Sequence, residues 1–329
     1  MRDAPEIPAH PGGRSTHIVV AITRTARSAS KSRIRHRAPG YASRMRFVYI
    51  SLVPILGLIF TFSLLPIGIV AWLSLHRYNQ LSPVMPWLGL RNYEFAFQTD
   101  PFFRNALENT LKYAFVAVPV NIVLSLPIAL GLNQITRFRA LFRTAFFMPV
   151  VASAVAVSLL WNTIYDPQAG WLNAFLDWVG LVPRPWLGSP DTAIWAVLAA
   201  AVWQDLGYNI LVFLAGLQGI PQDFYDAAKV DGAGPWQRFR GITIPLLQRT
   251  TLFVLVLTMI SYLQEFTHIQ VMTNGGPIHT SETLVLYTYK KGFSDFNMGY
   301  ASAMSMILMG IILIITLIQM RLMRSRWEY

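Results

Sequence analysis

The sequence predicts an all-α membrane protein with six transmembrane helices and a short cytosolic helix between the fourth and fifth of them. Only 13% of its 329 residues are charged, whereas soluble domains carry about 25%. The mean hydropathy is +0.42, and 54% of the residues are hydrophobic. Six apolar runs have the roughly 20 residues that a helix needs to cross a hydrocarbon core of ~30 Å. The chain is therefore expected to lie in a lipid bilayer.

The six predicted spans follow one another within residues 47–329. They are Phe47–Leu75, Leu107–Leu132, Leu141–Thr163, Ala193–Gly216, Leu246–Met272 and Met298–Met320. Five prolines fall inside them: Pro54, Pro66, Pro119, Pro127 and Pro149. Membrane helices tolerate proline because neighbouring helices satisfy the freed backbone groups. The prolines therefore do not exclude any of the six runs as a span.

Residues 1–46 are predicted to be a separate, basic and disordered cytosolic tail, with a natural start at Met45 as an alternative. They hold 10 of the 27 Lys and Arg residues and lack the apolar residues of a packed core. Their longest apolar run, at 18–22, is too short for a signal peptide. The formal charge of +11 comes largely from this tail, so no nucleic-acid partner is predicted.

The distribution of Lys and Arg predicts the orientation, because basic residues concentrate in cytosolic connections. With the N-terminus in the cytosol, 20 of the 27 basic residues fall on the cytosolic side and 7 on the other. Without the tail, the ratio is 10 to 7. Both termini of this multi-pass chain are thus predicted to be cytosolic. The connections at about 76–106, 164–192 and 273–297 are predicted to lie outside.

The connection between spans 4 and 5, residues 221–245, is polar and has the signals of a short helix. Pro221 suits a first helical turn, and Asp223 and Asp226 place carboxylates near the positive end of the helix dipole. Gly232 stands where a left-handed C-terminal cap is needed. An amphipathic helix lying on lipid headgroups is the alternative, but it would be rich in Lys and Arg. Acidic and small residues instead favour a protein-binding surface.

This segment resembles the EAA loop in permease subunits of binding-protein-dependent ABC importers. The shared pattern is an acid, two alanines, three residues, Gly, nine residues, Ile, any residue, an aliphatic residue and Pro. It is matched by Asp226, Ala227, Ala228, Gly232, Ile242, Ile244 and Pro245. Asp replaces the usual Glu, and Ile the usual Leu. Further stretches resemble carbohydrate permeases of the maltose/glycerol-3-phosphate type over about 45–329: PIGIVAWLSLHRYN, LFRTAFFMPVVAS, VMTNGGP and SETLVLYTYKKGF.

The resemblance implies a cytosolic coupling helix between spans 4 and 5 that binds a separate ATPase. The residues implied in this coupling are Asp226, Ala227, Ala228, Asp231, Gly232, Ala233, Ile242 and Pro245. The chain has no GxxxxGK[ST] phosphate loop, so the partner ATPase would use ATP and Mg, and this chain would be neither an enzyme nor a cofactor-binding protein. The other implied partners are a second, different permease, a second ATPase and an extracellular solute-binding protein. The implied location is a prokaryotic plasma membrane.

Polar residues inside spans 4 and 5 are candidates for lining a solute pathway. A charged residue such as Asp at the centre of a span costs ~2.5–3.5 kcal/mol on insertion scales, so acids there are functional candidates. The predicted set is Gln204, Tyr208, Asn209, Tyr262, Gln264, Glu265 and His268. Asp205 is placed near the outer interface and is not included. The alternative is that these side chains join helices to one another. His268 has no second His at helical spacing, so no metal site is predicted.

A tight turn is predicted directly after span 5, at the outer mouth, from the run Asn274, Gly275, Gly276 and Pro277. Two other classes of protein are alternatives. An ATP-independent transporter or channel would explain the spans but not the acid-Ala-Ala…Gly helix. A membrane enzyme has no support, since no metal cluster or nucleophile–base pair is evident, and the chain has no cysteine. The particular sugar or related solute is not predicted.

Overall fold

The structure, a computed structural model, describes residues 41–82, 84–135 and 137–323. Residues 1–40 of the predicted tail lie outside the described residues. The helices before residue 180 are α1 (Tyr41–Ile59), α2 (Leu65–Leu73), α3 (Arg91–Glu94), α4 (Pro101–Gln134), α5 (Arg139–Val151), α6 (Ala154–Ile164) and α7 (Trp171–Trp178). Those that follow are α8 (Ala193–Gln218), α9 (Gln222–Val230), α10 (Pro235–Arg238), α11 (Ile244–Leu246), α12 (Gln248–Leu263), α13 (Thr267–Met272), α14 (Leu284–Tyr289) and α15 (Met298–Leu322).

Four π-helical turns extend helices of this all-α chain. They are Phe60–Leu64, Phe95–Thr99, Phe239–Thr243 and Lys290–Ser294. The described residues form two isolated β-bridges, His76 with Trp87 and Asn79 with Asn297, and no longer strand. The all-α fold class predicted from the sequence is therefore confirmed.

The described residues contain five helices that are long and apolar enough to cross a membrane. They are Val48–Leu73, Pro101–Gln134, Ala193–Gln218, Gln248–Met272 and Met298–Leu322. A sixth span is obtained if the bent pair α5 and α6 counts as one. Each of the six predicted spans therefore corresponds to one of these helices or to the bent pair. In most cases the predicted ends differ from the observed ends by a few residues.

The chain divides into two units, one ending at Leu64 and the other beginning at Leu65. In the first unit, α1 begins at Tyr41, before the predicted span start at Phe47. The described side chains of residues 48–64 are exposed. They are also mostly apolar, as expected for a helix that lies in a membrane.

The second unit is organised around α4 and α8, which pack more extensively than any other pair of described helices. Small side chains allow this close approach, since Ala114 and Ala117 of α4 and Ala200 and Ala201 of α8 are fully buried. The same principle brings α5 against α8. A Cβ added at Gly207 would overlap the backbone carbonyl of Phe146. Only glycine therefore fits at this crossing.

The third predicted span is bent, because α5 and α6 meet at an angle of 97°. Pro149 weakens the end of α5 because it lacks a backbone donor. Ala152 and Ser153 then adopt extended backbone angles, with ψ of 147° and 135°. The carbonyl of Ala152 accepts a hydrogen bond of 2.9 Å from Gln204 Nε2 on α8. The bend is thus held by a side chain distant in sequence.

The fifth span is also interrupted, because α12 ends at Leu263 and α13 begins at Thr267. The break contains Glu265, whose carboxylate Oε1 accepts from the backbone N–H of His268 at 3.2 Å. A side-chain acceptor of this kind satisfies a free donor at a helix start. The span is therefore broken at the position of its acidic residue.

Candidate functional site

The segment between α8 and α12 has the helix and the cap that the sequence predicted. After α9, Gly232 adopts a left-handed conformation with φ of +77°. The Ala233 N–H donates to the Ala228 carbonyl at 2.9 Å, and the Gly232 N–H donates to the Lys229 carbonyl at 3.0 Å. These two bonds form the Schellman motif that closes helix C-termini. The left-handed cap at Gly232 is confirmed.

The electrostatics of α9 centre on Asp226. Its Oδ1 accepts from Lys229 Nζ at 2.8 Å and from Gln222 Nε2 at 3.3 Å. The Lys229 hydrogen bond, followed by the Gln222 hydrogen bond, lowers the pKa of Asp226 below its ordinary value. The Asp226 side chain is 56% exposed, so solvent screens the pair. The carboxylate is therefore charged at neutral pH and open to an approaching protein.

The predicted coupling residues fall into two groups in the structure. Those on the open side of the segment are exposed, namely Asp226, Ala227, Asp231 and Gly232. Those that face the bundle more closely are half-buried, namely Ala228, Ala233, Ile242 and Pro245. Ile242 packs with Tyr225 against a core formed by α4 and α8. The Tyr225 hydroxyl lies 3.0 Å from Thr243 Oγ1. We name the four exposed residues the knob and the four half-buried residues the base. The base attaches the knob to the helix bundle.

A first polar network joins the break in span 5 to the bend in span 3. His268 Nε2 lies 2.8 Å from Gln204 Oε1, and His268 Nδ1 lies 3.1 Å from Glu265 Oε1. Gln204 in turn donates to Ala152 as described above. Gln204 and His268 are buried. Glu265 Oε2 makes no hydrogen bond with the described residues, so one oxygen of this carboxylate remains available to a ligand.

A second polar network joins α4, α8 and α12. Asn209 Nδ2 donates to Asn121 Oδ1 at 2.7 Å and to Thr258 Oγ1 at 3.2 Å. Asn121 Nδ2 donates to the Tyr262 hydroxyl at 3.0 Å. All four side chains are buried. These bonds show that Asn209 and Tyr262 join helices, and their contact with a solute stays a prediction.

A cavity of about 220 Å³ lies between α8 and α12, beside the second network. Asp205, Tyr208 and Asn209 line it from α8, and Thr258 and Ser261 from α12. Asp205 was not among the predicted pathway residues, yet it shares the cavity with Tyr208. We name this space the inner cavity. Gln264 lies instead on a second cavity, between α14 and α15.

Sequence reasoning missed Asn121 and Thr258 of the second network. Asn121 had a signal, since it is an amide inside an apolar run of span 2. It lies outside spans 4 and 5, which flank the 221–245 segment and hold the predicted pathway residues. Thr258 carried little signal, because threonine is common in membrane helices and bonds its own helix.

The predicted turn after span 5 is present. Asn274 and Gly275 have positive φ, at 47° and 84°. The Gly276 N–H donates to the Thr273 carbonyl at 2.9 Å. A Cβ at Gly275 would lie 3.0 Å from Cβ of Glu282, so glycine is required here for space as well as for conformation.

The buried Glu282 holds this turn in place, and the sequence analysis did not identify it. Its side chain is 1% exposed, and its Oε1 accepts from Lys290 Nζ at 2.6 Å. Its Oε2 pairs with His279 Nδ1. Asn105 Nδ2 of α4 donates to the His279 carbonyl at 2.7 Å. The turn is therefore fixed to α4, and its surface has a defined shape.

The fold and these sites define a polytopic α-helical membrane subunit with an exposed knob between its fourth and fifth apolar runs. The chain belongs to the family described as the inner membrane component of binding-protein-dependent transport systems, which matches residues 115–327.

Proteins of known sequence and structure agree with this assignment. The chain is 35% identical over 284 residues to a probable ABC transporter permease protein, YurN, of Bacillus subtilis, covering 85% of this chain and 97% of that one. It is 34% identical over 280 residues to the trehalose/maltose transport system permease protein MalF of Thermococcus litoralis, covering 84% and 94%. A chain of a bacterial ABC transporter involved in the import of the acidic polysaccharide alginate shares the fold. It aligns with a TM-score of 0.75 at 24% identity, covering 87% of this chain and 98% of that one.

Proposed function

We propose that this chain is the permease subunit of an ATP-driven importer and forms half of the translocation pathway for a sugar or sugar-like solute. The observation that carries the proposal is the exposed α9. This helix carries the acid-Ala-Ala…Gly pattern and ends at the left-handed cap of Gly232. In the chain, it lies between α8 and α12, the two helices that line the inner cavity.

The knob and its base suit the transfer of force from a separate ATPase. Asp226, Ala227 and Gly232 are exposed for docking. Ile242 and Tyr225 connect α9 to the cores of α4 and α8. A displacement of α9 by the closing ATPase would therefore move α8 and α12 together. Rigid-body movement of this kind opens a pathway alternately to the two sides.

The inner cavity has the chemistry that a sugar requires. Asp205 offers carboxylate oxygens, Tyr208 an aromatic ring, and Ser261 and Thr258 hydroxyls. Binding sites for small molecules combine apolar walls with a few such polar groups. The name of the trehalose/maltose relative supports a sugar as the solute. Gln204 of α8, Glu265 after the end of α12 and His268 of α13 would hold this site in shape or contact the solute.

The remaining parts of the assembly follow from the same proposal. A second, different permease would close the pathway, two ATPase subunits would bind the two knobs, and an extracellular solute-binding protein would deliver the solute. The chain would lie in a prokaryotic plasma membrane with both termini cytosolic, which places α9 beside the ATPases. ATP and Mg would be used by those subunits.

Purification of the assembled complex tests the proposal. We expect a tagged form of this chain to carry the second permease and two ATPase subunits for each copy of itself. In liposomes, we expect uptake of maltose or trehalose only when the solute-binding protein is outside and ATP is on the ATPase side. A chain that purifies without an ATPase, and whose uptake follows an ion gradient instead of ATP, would identify a secondary transporter and contradict the proposal.

A further inference from the structure

We propose a second binding subsite for a sugar ring, on the cavity between α14 and α15. We name it the aromatic groove. It is lined by Gln264, Thr288 and Ser305 and by the apolar side chains of Val285, Leu308, Met309 and Ile312. In the chain, Phe266 follows Gln264 by two residues and Tyr289 follows Thr288 by one. This inference rests on the proposed sugar transport and adds that the solute is an oligosaccharide of at least two rings.

The groove has the size and the free polar groups of a ligand site. Its volume is about 390 Å³, within the ~300–1,000 Å³ of small-molecule pockets. The side chains of Gln264 and Thr288 form no hydrogen bond with the described residues. An amide and a hydroxyl that have no protein partner are available for the hydroxyl groups of a sugar. The described residues that line the groove are uncharged, which favours a neutral ring.

Three aromatic rings near these polar residues in the chain form a continuous strip. The centroids of Phe266 and Tyr289 are 5.2 Å apart, and those of Tyr289 and Phe293 are 5.1 Å apart. Tyr289 is 39% exposed and Phe293 60% exposed, so the strip is open to a ligand. Tyr289 follows Thr288 directly and lies one turn after Val285, which also lines the groove. A sugar ring has an apolar C–H face and a polar edge, and the groove offers a surface for each.

The groove and the inner cavity lie along one face of α12. Leu257, Ser261 and Gln264 are spaced four and three residues apart, which places them on the same side of a helix. The first two line the inner cavity, and the third lines the groove. The 16 residues of α12 rise ~24 Å from Gln248 to Leu263. The groove is therefore at the end of α12 away from α9, which is the outer end in the proposed orientation.

Aromatic residues also form belts at membrane interfaces, and thiol labelling separates the two roles. The chain has no cysteine, so Thr288→Cys introduces one thiol into this subunit. Leu313→Cys is the control, because Leu313 of α15 is 57% exposed and apolar. The probe is a charged, membrane-impermeant methanethiosulfonate, applied to the assembled transporter in liposomes and followed by the mass of this chain.

We expect Thr288→Cys to be labelled and Leu313→Cys not to be. Among maltose, trehalose and maltotriose, the sugars that the wild-type complex transports should slow the labelling of Thr288→Cys by about tenfold. A Thr288→Cys protein that resists the reagent as Leu313→Cys does would place the groove in lipid and overturn the proposal. Labelling that no transported sugar slows would overturn it as well. Absence of ATP-driven uptake in the wild-type complex would instead contradict the proposed function, which separates the two failures.

A kinetic test uses Tyr289→Ala, with Trp178→Ala as its control. Trp178 is 80% exposed and pairs with Phe175 at 6.0 Å, on α7. Because the substitution removes the aromatic face against which a sugar ring would pack, we expect the KM for maltotriose to rise about three- to tenfold in Tyr289→Ala. Its kcat and the KM values of Trp178→Ala and Tyr289→Phe should stay unchanged. An equal effect of Tyr289→Ala and Trp178→Ala, or a loss of kcat alone, would overturn the proposal.

Discussion

Gly232→Trp is expected to reduce solute uptake by more than ~tenfold while the chain still inserts into the membrane. Glycine adopts the φ of +77° at this position without strain. For any other residue, this left-handed backbone conformation costs ~1–2 kcal/mol. A Cβ at Gly232 would meet no atom of the described residues within 4 Å. The indole would therefore project from the end of α9 into the surface where the ATPase docks. Uptake and the amount of chain in the membrane are the two measurements.

Two control variants separate the shape of the cap from the bulk of the side chain. Gly232→Asn should keep most of the uptake, because asparagine tolerates the left-handed conformation. Gly241→Trp places the same bulk at an exposed glycine of the same segment, where a Cβ also meets nothing within 4 Å and φ is not positive. It should transport normally. Normal uptake by Gly232→Trp would rule out a docking role for this end of α9.

Glu265→Ala is expected to raise the KM for the transported sugar by about ten- to a hundredfold. The carboxylate holds His268 through Oε1 at 3.1 Å, and its Oε2 is free for a ligand among the described residues. Hydrogen bonds to charged groups contribute ~1.5–3 kcal/mol, and each 1.4 kcal/mol is a tenfold change in affinity. The measurement is KM for uptake, together with the ATPase rate that the loaded solute-binding protein stimulates.

Glu265→Gln is the matched control, because it keeps an acceptor for the His268 N–H and loses the charge. We expect its KM to lie between those of the wild type and Glu265→Ala. If Glu265→Ala leaves both KM and the stimulated ATPase rate unchanged, Glu265 belongs to the structural network alone and is not part of the pathway.

The apolar runs and the cap at Gly232 could be predicted because their causes are local. A span is recognised from the hydropathy of about 20 neighbouring residues. The cap follows from one glycine after a helix-forming stretch. The bend between α5 and α6 could not be predicted in this way. Pro149 is compatible with a continuous helix, and the Gln204–Ala152 hydrogen bond that holds the bend joins positions 52 residues apart.

The polar sites were predicted in part, for a similar reason. The sequence identified Asn209, Tyr262 and His268 as polar residues within spans, but burial and partners decide what such residues do. The partner Asn121 lies 88 residues from Asn209. Glu282 likewise holds the turn after span 5 through its pairs with Lys290 and His279, which form only in the folded chain. Composition shows that polar residues are present, whereas packing determines which of them meet.

A cross-link between α9 and the ATPase tests the central mechanical claim most directly. Val230 of α9 is 88% exposed, and Val182, in a connection predicted to lie on the opposite side of the membrane, is 80% exposed. In a chain without native cysteine, Val230→Cys and Val182→Cys form a matched pair for a short bifunctional thiol reagent, with single cysteines on the ATPase surface. We predict that Val230→Cys cross-links to the ATPase with a yield that changes on ATP binding, and that Val182→Cys does not. An ATPase that is captured by Val182→Cys, or that is never captured by Val230→Cys in an active complex, would contradict the account.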